Sequence, residues 1–344
     1  MRPASALVLG LVAACAICAP ACGGGASAAT AVDLHGAGAS FPYPLYDRWF
    51  KDYVGSHPNT TVDYQSVGSG AGVTQFTNKT VDFGASDAAM TDEEIAKVDR
   101  GVQLIPMTAG SIVLSYNLPG LAAPLRLSRK TYAAIFLGKI TKWDDPSVAG
   151  DNPGAKLPNL TITLVHRADS SGTTFNMTQH LSAISPEWAA GPGTSKAPNW
   201  PAGIGSKGNE GVTSTLQQTP GALGYVEYGY AKQSKLNMAT LENKSGKFVE
   251  PNTASGQAAL AGGQLPDNLR LFMPDPDGAD AYPIVTYTWL LLYKTSEKPA
   301  SAAAIKDIVK YCLTDGQKVS EEMGYIPLPP SVVNADLKAL DNVR

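Results

Sequence analysis

The sequence predicts an α/β protein with parallel strands, divided into two lobes. Three observations carry this. Units of strand, small-residue loop and helix repeat along the first third of the chain. Once a targeting segment is set aside, about 320 residues remain, more than one core usually holds. Two strongly β stretches, 112–116 and 282–293, stand where the chain would cross to a second lobe and return.

The chain begins with Arg2 and the apolar run 4–17, a signal peptide pattern too short to span a bilayer. Ala19-Pro20-Ala21-Cys22-Gly23-Gly24-Gly25 follows, small residues before a cysteine as in a bacterial lipobox. We expect residues 1–21 to be removed and Cys22 to carry the lipid anchor, with 22–31 as a Gly/Ala/Ser tether. Ordinary cleavage near Ala29 is the alternative. Of four cysteines, only Cys22 and Cys312 would then remain, which excludes a disulfide scaffold. Cys312, in an apolar helical pattern, reads as a small core residue. Net charge is −3 with both signs interspersed and no basic block, so nucleic acid is not expected. An anionic ligand would have to be held by local dipoles and one or two cations.

The first strand, 32–35, runs into Gly36-Ala37-Gly38-Ala39-Ser40-Phe41-Pro42, and a helix follows over 43–53 with Leu45, Trp49 and Phe50 on one side. Ser40 is placed as its N-cap and Pro42 as an early helical residue. The strand 62–65 leads through Ser66-Val67-Gly68-Ser69-Gly70-Ala71-Gly72 to a helix from about Val73. A third strand, 81–86, ends at Asp87, and Thr91-Asp92-Glu93-Glu94 opens the next helix as a capping box. In open α/β sheets, ligands sit at the carboxyl ends of strands. Ser40, Ser69 and Asp87 all fall at that edge.

Lobe I is expected to span 32–113 and 285–344, and lobe II 114–284. Lobe II contains the β-branched stretch 160–165, the turn His166-Arg167-Ala168-Asp169-Ser170-Ser171-Gly172-Thr173-Thr174, and a helix from Phe175. Strand, tight turn and helix start present free backbone N–H groups to an anion. Arg167 adds a charged fork of donors, Asp169 can hold it, and Ser171 and Thr173 add hydroxyls. Alone, the turn reads equally well as a capped helix with a surface Arg–Asp pair. Gly205-Ser206-Lys207-Gly208-Asn209-Glu210-Gly211 is a further loop leading into a helix. Short helices are expected over 255–261, 302–313 and 337–343.

The glycine loops match neither G-x-G-x-x-G nor a P-loop. Their weight is joint: hydroxyls at helix starts together with one guanidinium suit a tetrahedral oxyanion. Asp87 would repel an anion unless it accepts a hydrogen bond from a protonated ligand oxygen, which phosphate has near neutral pH and sulfate lacks. Its alternative role is to cap the following helix. The four histidines show no metal-ligand spacing, and Ser171, His166 and Asp169 lie within one short turn without a nucleophile elbow.

From about Leu34 to Val333 the chain resembles the phosphate-binding proteins of bacterial high-affinity phosphate ABC transporters. The matching segments include Gly36 to Pro42, Val81-Asp82-Phe83-Gly84-Ala85-Ser86-Asp87, Leu137-Gly138-Lys139-Ile140-Thr141-Lys142-Trp143, Arg167 to Thr173, Gly205 to Gly211 and Pro220-Gly221-Ala222-Leu223-Gly224-Tyr225. The resemblance implies a type II periplasmic-binding-protein fold, with two lobes, two hinge crossovers and the ligand in the cleft. It places phosphate on Ser40, Phe41, Ser69, Asp87, Arg167, Ser171, Gly172 and Thr173, with Asp169 bracing Arg167. It also implies membrane permease subunits as partners, no cofactor or metal, and a monomer that is extracytoplasmic and lipid-anchored. Gly70 stands where some relatives have serine, and Ser170 where they have glycine. The readings set against this are a phosphatase-like secreted enzyme, a binder of another oxyanion, and a phosphate-scavenging surface protein.

Overall fold

The computed structural model describes residues 31–121 and 124–344; the targeting segment, Cys22 and the tether up to Thr30 lie outside the described residues. The three opening units are present. Strand β1 (Val32–Gly38) leads to helix α1 (Tyr43–Ser56), β2 (Thr60–Ser66) to α2 (Ser69–Thr77), and β3 (Phe83–Ser86) to the single turn α3 (Asp92–Ile95). β1 pairs in parallel with β2 and with β3. α1 turns Leu45, Tyr46, Trp49, Phe50 and Tyr53 inward at helical spacing, and Trp49 Nε1 donates to the Gly316 carbonyl at 2.6 Å. The capping box at α3 forms as expected, Thr91 receiving the Glu94 N–H while Glu94 receives that of Thr91.

β4 (Val102–Tyr116) is longer than the stretch the sequence marks. Its first half contains Pro106, which reads as a strand breaker. The ladder accommodates it at a bulge: Thr288 pairs with Thr108 but Trp289 with Pro106, so Met107 is the extra residue beside the missing N–H.

Beyond β4 come β5 (Arg126–Leu127), α4 (Arg129–Phe136), α5 (Pro146–Asp151), β6 (Thr163–Arg167), α6 (Gly172–Ile184), α7 (Pro186–Ala190), β7 (Ile204–Ser206), α8 (Gly208–Gln218), β8 (Ala222–Glu227) and α9 (Tyr228–Gln233). The short strands β9 (Asn237–Met238), β10 (Thr240–Glu242) and β11 (Phe248–Val249) precede α10 (Thr253–Ala261). The chain then returns as β12 (Val285–Tyr293), α11 (Pro299–Leu313) and α12 (Pro330–Ala339). α12 corrects the expected final helix at 337–343: Pro330 opens the first turn and the chain tightens to a 3₁₀ turn after Ala339.

The main sheet runs β2-β1-β3-β12-β4-β8-β6-β7. It is mixed, not purely parallel: β12 is antiparallel to both β3 and β4, and β4 to β8. β4 changes partner midway, pairing with β12 up to Ser111 and with β8 from Ile112. Trp49, Trp143, Trp188 and Trp289 are fully buried, and Cys312 is buried on α11. Among the described residues no helix is long and apolar enough to cross a membrane.

Candidate functional site

The carboxyl ends of β1, β2, β3 and β6 converge. They bring Ser40, Ser69 and Asp87 against Arg167, Ser171 and Thr173 from the turn after β6, and none of the six is more than 3% exposed. A polar cluster this dry must satisfy its groups internally or with a ligand.

Ser171 is the N-cap of α6, its Oγ accepting the Thr174 N–H at 3.1 Å. The helix therefore begins at Gly172, three residues before the apolar pattern starts. Gly172 is required by close approach, since a Cβ there would lie 2.5 Å from Ser69 Oγ and 2.8 Å from Asp87 Cβ. α2 likewise begins at Ser69, not near Val73, following Gly68 at φ +91. Ser69 Oγ accepts the Asp87 N–H at 3.2 Å. The first N–H groups of a helix have no partner inside it. Those of Ser69, Gly172 and Thr173, and that of buried Phe41, donate to no acceptor among the described residues.

Arg167 is held from two sides. Its Nε and Nη2 donate to Asp169 Oδ1 and Oδ2 at 2.8 and 2.5 Å, the bidentate geometry expected of a brace, and Nη1 donates to Thr173 Oγ1 at 3.3 Å. Two of its five N–H groups remain without an acceptor among the described residues. Burial works to raise the Asp169 carboxyl, but the guanidinium and the Gly208 N–H outweigh it and hold the carboxyl below its usual range. The Arg–Asp pair is neutral as a unit, so attraction for an anion rests on oriented N–H and O–H dipoles.

Asp87 does not cap the next helix; Thr91 does. Its Oδ1 accepts from Thr288 Oγ1 at 2.9 Å and its Oδ2 from Thr173 Oγ1 at 3.3 Å. Burial raises its pKa to about 7, against the lowering effects of Thr288, Arg167 and Thr173. A carboxyl poised near neutrality among anion donors can either accept or donate a proton there.

Ser40 departs from its expected role. It makes no side-chain cap on α1, and Pro42 occupies the N-cap position. Its Oγ instead accepts two hydrogen bonds from Asn209, from the backbone N–H at 3.0 Å and from Nδ2 at 2.9 Å. Asn209, fully buried, was not singled out in the sequence; the visible signal was an amide at the start of a helix entered from a glycine loop. The opening of α8 is spent on the site: the Gly208 N–H goes to Asp169 Oδ1 at 3.0 Å and the Asn209 N–H to Ser40. Thr288 is the second residue that sequence reasoning passed over, hidden inside an apolar strand.

The alternative nucleophilic arrangement does not assemble. Ser171 caps α6, Asp169 clamps Arg167, and His166 Nδ1 sits 3.0 Å from the Arg167 carbonyl oxygen while its ring stacks on Trp200. Buried His180 lies between Tyr132 Oη and the Pro274 carbonyl at 2.7 and 2.6 Å, and burial lowers it to about 4, so it serves the core. A cavity of about 1040 Å³ lies away from this cluster, beside Leu260, Leu265, Tyr287 and Val332. It gathers no comparable set of anion donors, so the small closed cluster is the candidate site.

The profile of the PBP superfamily domain matches residues 24–315. The chain is 42% identical over 303 residues to the phosphate-binding protein PstS of Pasteurella multocida, covering 87% of each chain. It is 41% identical over 309 residues to PstS of Haemophilus influenzae, covering 89% of this chain and 92% of that one. Among solved structures, the phosphate-binding protein of Stenotrophomonas maltophilia superposes with a TM-score of 0.72 at 20% identity, covering 89% of this chain and 93% of that one. This last likeness speaks for the fold.

Proposed function

This chain belongs to the PstS family of phosphate-binding proteins, and from that premise we propose that it captures inorganic phosphate outside the cytoplasm and hands it to the membrane permease of an ABC importer. It is a binding protein, not an enzyme. The proposed ligand groups are those of Ser40, Phe41, Ser69, Asp87, Arg167, Ser171, Gly172 and Thr173. Phosphate oxygens accept from the backbone N–H groups, the hydroxyls and the two remaining Arg167 donors. Asp87 takes the opposite part, accepting from the P–OH. That carboxyl is the observation that carries the reading: it is buried among donors, where in its ionised form it suits an oxyanion that carries a proton and opposes one that does not.

The proposed lobes, 32–113 with 285–344 and 114–284, are supported by the partner change of β4 after Ser111. Ser40, Ser69 and Asp87 then belong to one lobe and Arg167 to Thr173 to the other. Closure of the lobes would expel water and complete the site. Lipidation of Cys22 would keep the protein at the membrane face; Cys22→Ala is expected to move it from the membrane to the soluble fraction.

Titration with phosphate, arsenate and sulfate, followed by tryptophan fluorescence, tests the reading. Phosphate and arsenate, both protonated near neutral pH, should saturate the signal. Sulfate should need concentrations at least about 100-fold higher. No response to phosphate, or an equal response to sulfate, would overturn it.

A further inference from the structure

We propose that Asn209 is a positioning residue that fixes the hydrogen polarity of two hydroxyls of the site, making Ser40 an obligate donor toward the ligand and confining the Thr173 hydrogen to Asp87 or the ligand. The inference rests on the phosphate reading and adds a residue to it.

A hydroxyl has one hydrogen and two acceptor positions, and left alone it rotates to suit its neighbour. Ser40 Oγ accepts from the Asn209 N–H and from Asn209 Nδ2, which uses both acceptor positions. Its hydrogen donates to no described residue and must point elsewhere. Thr173 Oγ1 accepts from Arg167 Nη1 and from Asn209 Nδ2, each at 3.3 Å, which again uses both. Its hydrogen can then go only to Asp87 Oδ2 or to a ligand oxygen. The two hydrogens of one amide thus set the direction of two hydroxyls on separate segments of chain.

The amide is itself held in one orientation. Asn209 Oδ1 accepts the Glu227 N–H at 3.0 Å, which assigns the oxygen to that side and leaves Nδ2 facing Ser40 and Thr173. The residue is fully buried, so no water competes for the same bonds. The physical gain is preorganisation. The Ser40 donor, already aimed away from its two partners, needs no reorientation when an anion arrives, and the Thr173 hydrogen has a single alternative, Asp87, to leave.

A double-mutant cycle separates this role from simple packing. Phosphate affinity is measured by calorimetry for wild type, Asn209→Ala, Ser40→Ala and the double variant, with melting temperature recorded for each. Asn209→Ala is expected to weaken phosphate about tenfold, and the loss should shrink to about threefold in the Ser40→Ala background, because one of the two hydroxyls it orients is gone and only the Thr173 part remains. An unchanged affinity for Asn209→Ala, or the same loss in both backgrounds, would overturn the inference. If Asn209→Ala does not fold, Asn209→Asp takes its place in the cycle, since it keeps the acceptor for Glu227 and replaces the two amide hydrogens with an acceptor oxygen and a negative charge. Its loss should likewise shrink without the Ser40 hydroxyl; a loss independent of Ser40 would be plain charge repulsion and would overturn the inference. Failure of the wild type to bind phosphate would instead bring down the functional reading itself.

Discussion

Ser170 fills the space beside Gly70. A Cβ on Gly70 would stand 2.5 Å from Ser170 Cβ and 2.1 Å from its Oγ, and the Gly70 N–H donates to the Ser170 carbonyl at 2.9 Å. The serine and glycine that appear exchanged in the sequence are therefore one steric unit, with the side chain supplied from the opposite wall. Gly70→Ser alone should hold the walls apart and weaken phosphate about tenfold or more, in line with the ~1–3 kcal/mol typical of overpacking. Gly70→Ser with Ser170→Gly should recover most of the loss. A double variant weaker than Gly70→Ser in calorimetry would refute the steric pairing.

Asp87 predicts a selectivity that depends on pH. Burial raises its pKa to about 7, so the ionised form prevails above that value and the neutral acid below it. Ionised, it accepts from the phosphate P–OH and repels sulfate. Neutral, it can donate to either anion. The preference for phosphate over sulfate should therefore fall as pH drops from 8 to 6, and Asp87→Asn should show a smaller preference whose remaining pH dependence follows the ionisation of phosphate itself. A wild-type ratio that stays constant over that range would sink the discriminator role.

Lys196 joins the anion turn to the opposite wall. Its carbonyl accepts the Ser171 N–H at 2.9 Å, while its Nζ lies 3.0 Å from Glu94 Oε1, on the same carboxylate that completes the α3 capping box. Both side chains are partly buried, so the pair is worth at most about 1 kcal/mol. Lys196→Met should speed phosphate release about two- to fivefold in stopped-flow experiments and leave association nearly unchanged. Faster association with unaltered release would argue against a latch.

Two buried carboxyls should make the ligand-free protein less stable in alkali. Asp336 is fully buried with both oxygens unpartnered among the described residues, and burial raises it to about 9; Asp87 is raised to about 7. A group whose folded pKa lies above its unfolded value stabilises fully below the unfolded value. That contribution is lost as pH rises through the folded pKa. Melting temperature should fall between pH 6 and 9, and Asp336→Asn should flatten the upper part of that range. A wild-type profile that rises over the interval would contradict both assignments.

The hydroxyls, the arginine and its aspartate were legible because turns between strand and helix carry local chemical signatures: the Thr91–Glu94 box is read directly from spacing, and Ser171 as a hydroxyl in the turn, though its place as the cap of α6 is not. What was not legible depends on tertiary placement. Ser40 looks like a cap, but its hydroxyl is claimed by Asn209, far away in the chain. Thr288 reads as one polar residue in an apolar strand, and only the antiparallel insertion of β12 beside β3 brings it to Asp87. Pro106 concealed half of β4, because a bulge that tolerates proline cannot be inferred from one strand alone. The opening strands pair in parallel as the repeated units lead one to expect, whereas the antiparallel placement of β12 and β4 is set by the return of the chain and not by any local pattern.

The central claim is that a closed cluster of donors, with its one arginine neutralised by Asp169 and one opposing carboxyl, reads a protonated oxyanion. Calorimetric titration of the wild-type protein at pH 8 with phosphate and with sulfate tests it most directly. The account predicts one phosphate per chain and sulfate weaker by at least about 100-fold, roughly 2.7 kcal/mol of discrimination. Equal affinities for the two anions, or no phosphate binding, would contradict it.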